Sequence, residues 1–296
     1  MRNSFIVVLA AALCTCSQPA PPPDTRLDAP ICTDARVTGR LPSEIAEASG
    51  IVASRRTPGI FWVHSDGPIP WLYAVDSTGT IKARVRTAGV KMHDWEDIAA
   101  GPCGSETCLF LGDIGDNDEI RTDRAVYRVI EPLLTDSVTG PPTRYPFHLP
   151  GRSHDAEALF VTADQRMYIV TKGRSGQLIL FGFPASARPD VDSELEPIVA
   201  LNRAHVMLPD LVTGAAATPD GNFVVIRSYS AFQIYRLWNR TLTPVPGGRY
   251  RVRALPEVFG EGIDIRADGS VFLVSEESAD QHGPPISRVQ CALPAS

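Results

Sequence analysis

The chain has almost no long apolar run. Phe5 to Leu13 form one stretch of nine residues and no comparable stretch follows. Nine is too few to cross a bilayer, which takes about 20, and suits the core of an export signal behind the charge of Arg2. Nor is there a basic excess: 28 Lys and Arg stand against 34 Asp and Glu, a net charge of -6 with no Lys/Arg cluster. That balance argues against a nucleic-acid partner. The sequence has no Gly-x-Ser-x-Gly elbow, no P-loop and no dinucleotide fingerprint, so the serine-hydrolase, nucleotide-kinase and dehydrogenase readings lack a motif. What remains is ordinary globular material, 44% hydrophobic and 21% charged over 296 residues, which is ample for a large core.

The chain divides into residues 1–16, a signal; 17–30, a tether; and 31–296, one folded domain. Leu13-Cys14-Thr15-Cys16 resembles a lipobox, so lipid attachment at Cys16 and plain secretion are both open. Gln18 to Asp24, with Pro19, Pro21, Pro22 and Pro23, is an extended spacer. Membrane contact is expected only through such an N-terminal lipid. The expected location is periplasmic or extracellular, where thiols oxidise. Four cysteines lie outside the signal and allow three pairings. The spacing suits a Cys103–Cys108 bridge across a hairpin turn, leaving Cys32 near the start to join Cys291 near the end.

An internal repeat is the most informative feature. Five segments open on a small or acidic residue, run through a short apolar strand, turn and enter a second strand. They begin at Glu47-Ala48-Ser49-Gly50, Asp94-Trp95-Glu96-Asp97, Asp155-Ala156-Glu157-Ala158, Val212-Thr213-Gly214 and Glu261-Gly262-Ile263. Aligning Ser49, Glu96, Glu157, Thr213 and Glu261 gives intervals of 47, 61, 56 and 48 residues, the length of a four-stranded propeller blade. The 35 residues after Glu261 and the 18 from Ile31 up to Ser49 together make 53, one blade more. The repeat therefore predicts an all-β, five-bladed propeller of four-stranded antiparallel blades, closed by pairing of the N- and C-terminal strands. A β-sandwich or two smaller β domains is the competing architecture.

In a propeller the innermost strands line a central channel, so the five aligned residues form a ring. Three of them are carboxylates, which repel one another unless a cation or protons intervene. An all-oxygen donor set of Ser49, Glu96, Glu157, Thr213 and Glu261 suits Ca²⁺, with Mg²⁺ as second choice. Glu47, Asp94 and Asp155 precede the ring by two residues and predict a second acidic tier. The six histidines do not compose a zinc triad.

The second strands end in polar groups expected to surround a pocket. Asp116, Asn117, Lys172, Arg174, Arg227 and Glu276 are candidate ligand-binding residues, the cations suited to a small anionic ligand such as a phosphate ester. His64, Asp66, Asp113 and His154 are candidates to position water. Gly112 to Asp118 is acidic without the twelve-residue pattern of an EF-hand.

The ring order resembles that of the five-bladed calcium-activated nucleotidases, or soluble apyrases, which read Ser, Glu, Glu, Ser, Glu; Thr213 is the one departure. That resemblance implies a central calcium. The loops differ, since Gly112 to Asn117 is more acidic and Ser228-Tyr229-Ser230 stands where that family is charged. The repeats are also similar to gluconolactonase-type and phytase-like secreted propellers. Two functions follow as expectations: metal-dependent hydrolysis of an anionic ester, or a non-catalytic, monomeric scaffold holding a partner of the cell envelope around structural calcium.

Overall fold

The computed structural model describes residues 29–67, 69–91, 93–202, 206–278 and 282–295. The signal, Cys16 and nearly all of the tether lie outside the described residues.

The first strand, β1 (Cys32–Arg40), belongs to the last blade. The first blade is β2 (Ala48–Ala53), β3 (Ile60–Ser65), β4 (Trp71–Asp76) and β5 (Ile81–Arg86); the second is β6 (Trp95–Cys103), β7 (Glu106–Asp113), β8 (Ala125–Ile130) and β9 (Thr143–His148). The third is β10 (Ala156–Val161), β11 (Met167–Thr171), β12 (Ile179–Gly182) and β14 (Glu196–Ala200), interrupted by a two-residue β13 (Ser193–Glu194) that pairs in parallel with β9. The fourth is β15 (Val212–Ala217), β16 (Phe223–Ser228), β17 (Ala231–Trp238) and β18 (Thr241–Arg251). The fifth is β19 (Phe259–Ile265), β20 (Ser270–Glu276), β21 (Pro285–Cys291) and β1. Each blade is an antiparallel meander, and the five sheets make the expected five-bladed propeller, with β1 closing the ring against β21.

The apolar runs are continuous rather than alternating because each blade is buried on both faces. Period-2 geometry then sends successive side chains to opposite neighbours. Along β3, Phe61 and Val63 pack toward the fifth blade with Phe272 and Val274, whereas Trp62 packs toward the second with Leu109 and Leu111. Five such clusters fill the five spaces between adjacent blades. The inner strands β2, β6, β10, β15 and β19 touch in that order, and β19 touches β2.

Both disulfides form as the spacing suggests. Cys103–Cys108 spans the β6–β7 hairpin, whose turn passes through Gly104 at φ 67°. Cys32–Cys291 joins directly paired residues of β1 and β21 across 259 positions of sequence. A loop that long makes the bridge worth roughly 5 kcal/mol through the unfolded chain. Two disulfides belong to an oxidising, exported setting. No helix among the described residues is long and apolar enough to cross a membrane.

Candidate functional site

Every inner strand is bulged at its start, and the bulges fall on the repeat. In β2 pairing passes from Ala48↔Ser65 to Gly50↔His64, skipping Ser49. In β6 it passes from Trp95↔Asp113 to Asp97↔Gly112, skipping Glu96; in β10 from Ala156↔Thr171 to Ala158↔Val170, skipping Glu157. In β15 it skips Thr213, and in β19 it breaks between Gly260 and Ile263, where Glu261 stands. A bulge releases a residue from the ladder and re-aims its side chain. The five aligned residues are thus the five bulged ones.

Their side chains meet unequally. Glu96 hydrogen-bonds Glu157. Lys172, one residue past β11, brings its Nζ to 2.5 Å from Glu157 Oε1. Ser49 Oγ donates to the Glu47 carbonyl at 3.2 Å, and Thr213 Oγ1 donates to the Gly260 carbonyl at 2.8 Å. Burial, then the charges of Glu157 and Asp94, hold Glu96 well above the usual carboxylate range. Burial lifts Glu157 to about 7 against the opposing pull of Lys172. Burial, then Glu157 and Glu276, lift Glu261 to about 8. For Lys172 desolvation works against the ammonium, but Glu157 outweighs it and the pKa rises. Among the described residues, no three His, Cys, Asp or Glu side chains are already grouped as a metal cage. The donors are all oxygen, as a hard cation requires, with one ammonium held in their midst.

Around this centre two of the second-tier acids, Asp94 and Asp155, serve the loops. Asp155 accepts from the Asp116 N–H at 2.9 Å and from Arg174 Nε at 3.1 Å. Arg174 also donates to Asn117 Oδ1 at 2.6 Å, and Asn117 reaches Asp94 at 3.4 Å. Gly115 permits this closeness: a Cβ there would lie 2.4 Å from Glu96 Oε1 and 2.5 Å from the Asp94 carboxyl. Asp113 accepts from Arg121 Nη2 at 2.8 Å and from the Asp94 N–H at 3.1 Å. Asp66 is exposed, and its carboxyl rises to about 6 through partial burial, then through Asp94, Glu47 and Glu276. Half-buried Glu276 is raised by burial and by Glu47. His154 Nδ1 lies 3.0 Å from Ser175 Oγ, and burial lowers its pKa.

Three expected pocket residues take other places. His64 is fully buried, edge-on to Trp95 with ring centroids 5.7 Å apart, and burial holds it near 3, so it is a neutral core residue and no open-pocket base. Arg227 is fully buried: Nη1 donates to the Gly262 and Val274 carbonyls at 2.8 and 2.9 Å, and Nη2 lies 2.7 Å from Glu257. It ties the fourth blade to the fifth instead of facing a ligand. Asp116 is buried and accepts from the N–H groups of Ile120 and Arg121 at 2.8 and 2.9 Å, bracing its own loop.

Sequence reasoning missed Asp97, Asp264, Arg121 and Tyr229. Asp97 is fully buried by the bulge beside Glu96 and accepts from Ile98 N, Leu159 N and Ala215 N at 2.8, 2.8 and 3.1 Å. One carboxyl so joins the second, third and fourth blades. Asp264, also buried, accepts from Ala53 N at 3.1 Å and joins the fifth blade to the first. Tyr229 holds the register of Lys172 in the next blade, and burial, then the charge of Glu261, raise its pKa. The aligned repeat carried that last signal, since the residue after each second strand recurs at one position.

No family model matches the chain, and no curated protein matches it. Among solved structures, the chain is similar to the PQQ-bound form of aldose sugar dehydrogenase from Streptomyces coelicolor. The TM-score is 0.55 at 12% identity, over 89% of this chain and 100% of that one. A glucose dehydrogenase structure aligns at a TM-score of 0.47 and 9% identity, over 89% of this chain and 100% of that one, too remote to carry an argument. At such identity the first likeness shows a shared fold and nothing of chemistry. The chain belongs among the β-propellers.

Proposed function

We propose that this exported propeller holds a divalent cation, calcium by donor type, at the mouth of its channel and acts there as a hydrolase of a phosphate ester or related small anion. The observation that carries the reading is the coincidence of five bulges with a ring of three carboxyls and two hydroxyls. Three carboxyls, all raised by burial and two of them further by the charge of Glu157, are a place where positive charge is gained cheaply. Glu96, Glu157 and Glu261 would hold the cation, with Ser49 and Thr213 completing an oxygen set. The cation, when bound, supplies charge stabilisation to an ester oxygen.

The chain's own residues supply the rest. Asp66, exposed at the mouth with a carboxyl near 6, is suited to take a proton from water near neutral pH. Asp113 and His154 hold the surrounding loops in place. Arg174, on the exposed rim, is the most solvent-accessible of the three candidate cations for an anionic ligand.

A second reading is a scaffold that binds an envelope partner around structural calcium. It is favoured by one observation: Lys172, Arg174 and Arg227 are all already paired, with Glu157, Asp155 and Glu257. Phosphomonoester, phosphodiester, nucleotide and lactone panels with calcium and with chelator separate the two. Turnover lost on chelation and in Asp66→Asn, with the fold intact, supports the hydrolase. Calcium-dependent melting without turnover on any substrate supports the scaffold.

A further inference from the structure

We propose that Lys172 is the resident counter-ion of the channel mouth and competes with the divalent cation for Glu157, so that cation binding turns the ammonium out toward the open face. This rests on the cation reading above.

The ion pair is short and enclosed: Nζ stands 2.5 Å from Glu157 Oε1, with side-chain exposures of 10% and 2%. The register makes Lys172 singular. The residues that follow the equivalent pairs in the other four blades are Asp66, Ile114, Tyr229 and Glu276, two acids, an apolar residue and a phenol. Only the third blade places a cation at that position. A ring of three carboxyls built to hold positive charge therefore contains one positive charge of its own, bonded to a ring member.

The backbone under Lys172 is pinned. Its N–H donates to the Asp155 carbonyl at 2.9 Å, and its carbonyl accepts from Val212 N at 3.0 Å. Any response is left to the side chain, a flexible four-carbon stem with a compact charge that hydrates strongly. An ammonium and a dication bonded to one carboxyl repel, and the ammonium is the partner that water accepts readily. The turn beyond, with Gly173 at φ 88° and Gly176 at φ 120°, leads to Arg174 on the exposed rim. Lys172 released from Glu157 would stand on the same face as Arg174, the residue proposed above for an anionic ligand.

The test titrates calcium chloride alone into the full chain and into Lys172→Met by calorimetry, with circular dichroism to verify the fold. A second readout needs no variant: acetylation of Lys172 in the wild type, followed by mass spectrometry with and without calcium. The competition requires calcium to bind Lys172→Met at least tenfold tighter than wild type and to raise the acetylation rate of Lys172 several-fold. Wild-type binding with unchanged affinity in Lys172→Met and unchanged acetylation overturns the competition and leaves the cation site standing. Binding by neither protein overturns both. Binding by Lys172→Met alone, with wild-type acetylation unchanged, overturns the displacement: the ammonium then excludes the cation instead of yielding to it.

Discussion

Removing the Glu261 carboxylate should flatten the pH dependence of stability in calcium-free solution. A glutamate in the unfolded chain titrates near its usual 4.5, whereas folded Glu261 is held at about 8 by burial, then by Glu157 and Glu276. Between those values the folded state keeps a proton that the unfolded state has released. Stability therefore falls as pH rises through this window, and the loss is complete above the folded value. At about 1.36 kcal/mol per pH unit, the gap from 4.5 to about 8 is worth up to ~5 kcal/mol. The assay is urea unfolding with chelator between about pH 5 and 8, comparing wild type with Glu261→Gln, which carries no titrating carboxyl. The wild type should lose several kcal/mol more than the variant over that range, and calcium should restore wild-type stability at the alkaline end by taking the proton's place. Identical pH slopes for the two proteins would refute the reasoning.

Other perturbations separate the structural ties from the site. Replacing Cys32 and Cys291 by alanine should cost roughly 5 kcal/mol, against about 2 for the short Cys103–Cys108 loop, in guanidinium unfolding without reductant; equal losses would contradict the ring-closing role. Asp97→Ala should cost about 3 to 5 kcal/mol, because it strips acceptors from buried N–H groups of three blades, and a loss below 1 kcal/mol would show that the blades do not depend on it. Gly115→Ala should cost little stability, since only the ends of Glu96 and Asp94 need give way, yet weaken calcium binding at least tenfold by calorimetry; unchanged affinity would remove Glu96 from the site.

The ring was legible because a bulge that recurs once per blade leaves a repeat in sequence: Ser49, Glu96, Glu157, Thr213 and Glu261 align whether or not the bulge is foreseen. The same bulge explains the misses. Strict alternation puts Asp97 on the face opposite Glu96, and only the skipped register lets both carboxyls turn toward neighbouring inner strands. His64 and Arg227 illustrate a second limit. They occupy one register, opposite Gly50 and Gly214, and face the space between blades, where burial depends on the neighbouring blade. Neighbouring glycines make that room: a Cβ on the facing Gly50 would come within 2.7 Å of His64 Nε2, and one on Gly260 of the next blade within 1.7 Å of Arg227 Nη2. Blade count was readable because it needs only lengths, and the terminal disulfide because closure needs only both ends of the chain.

A crystal structure of the protein grown with calcium reads the cation site itself. One cation is expected in the channel mouth with carboxylate oxygens of Glu96, Glu157 and Glu261 at about 2.3 to 2.6 Å, and Lys172 withdrawn from Glu157. A channel without anomalous density at saturating calcium, with the Lys172–Glu157 pair intact, would contradict it.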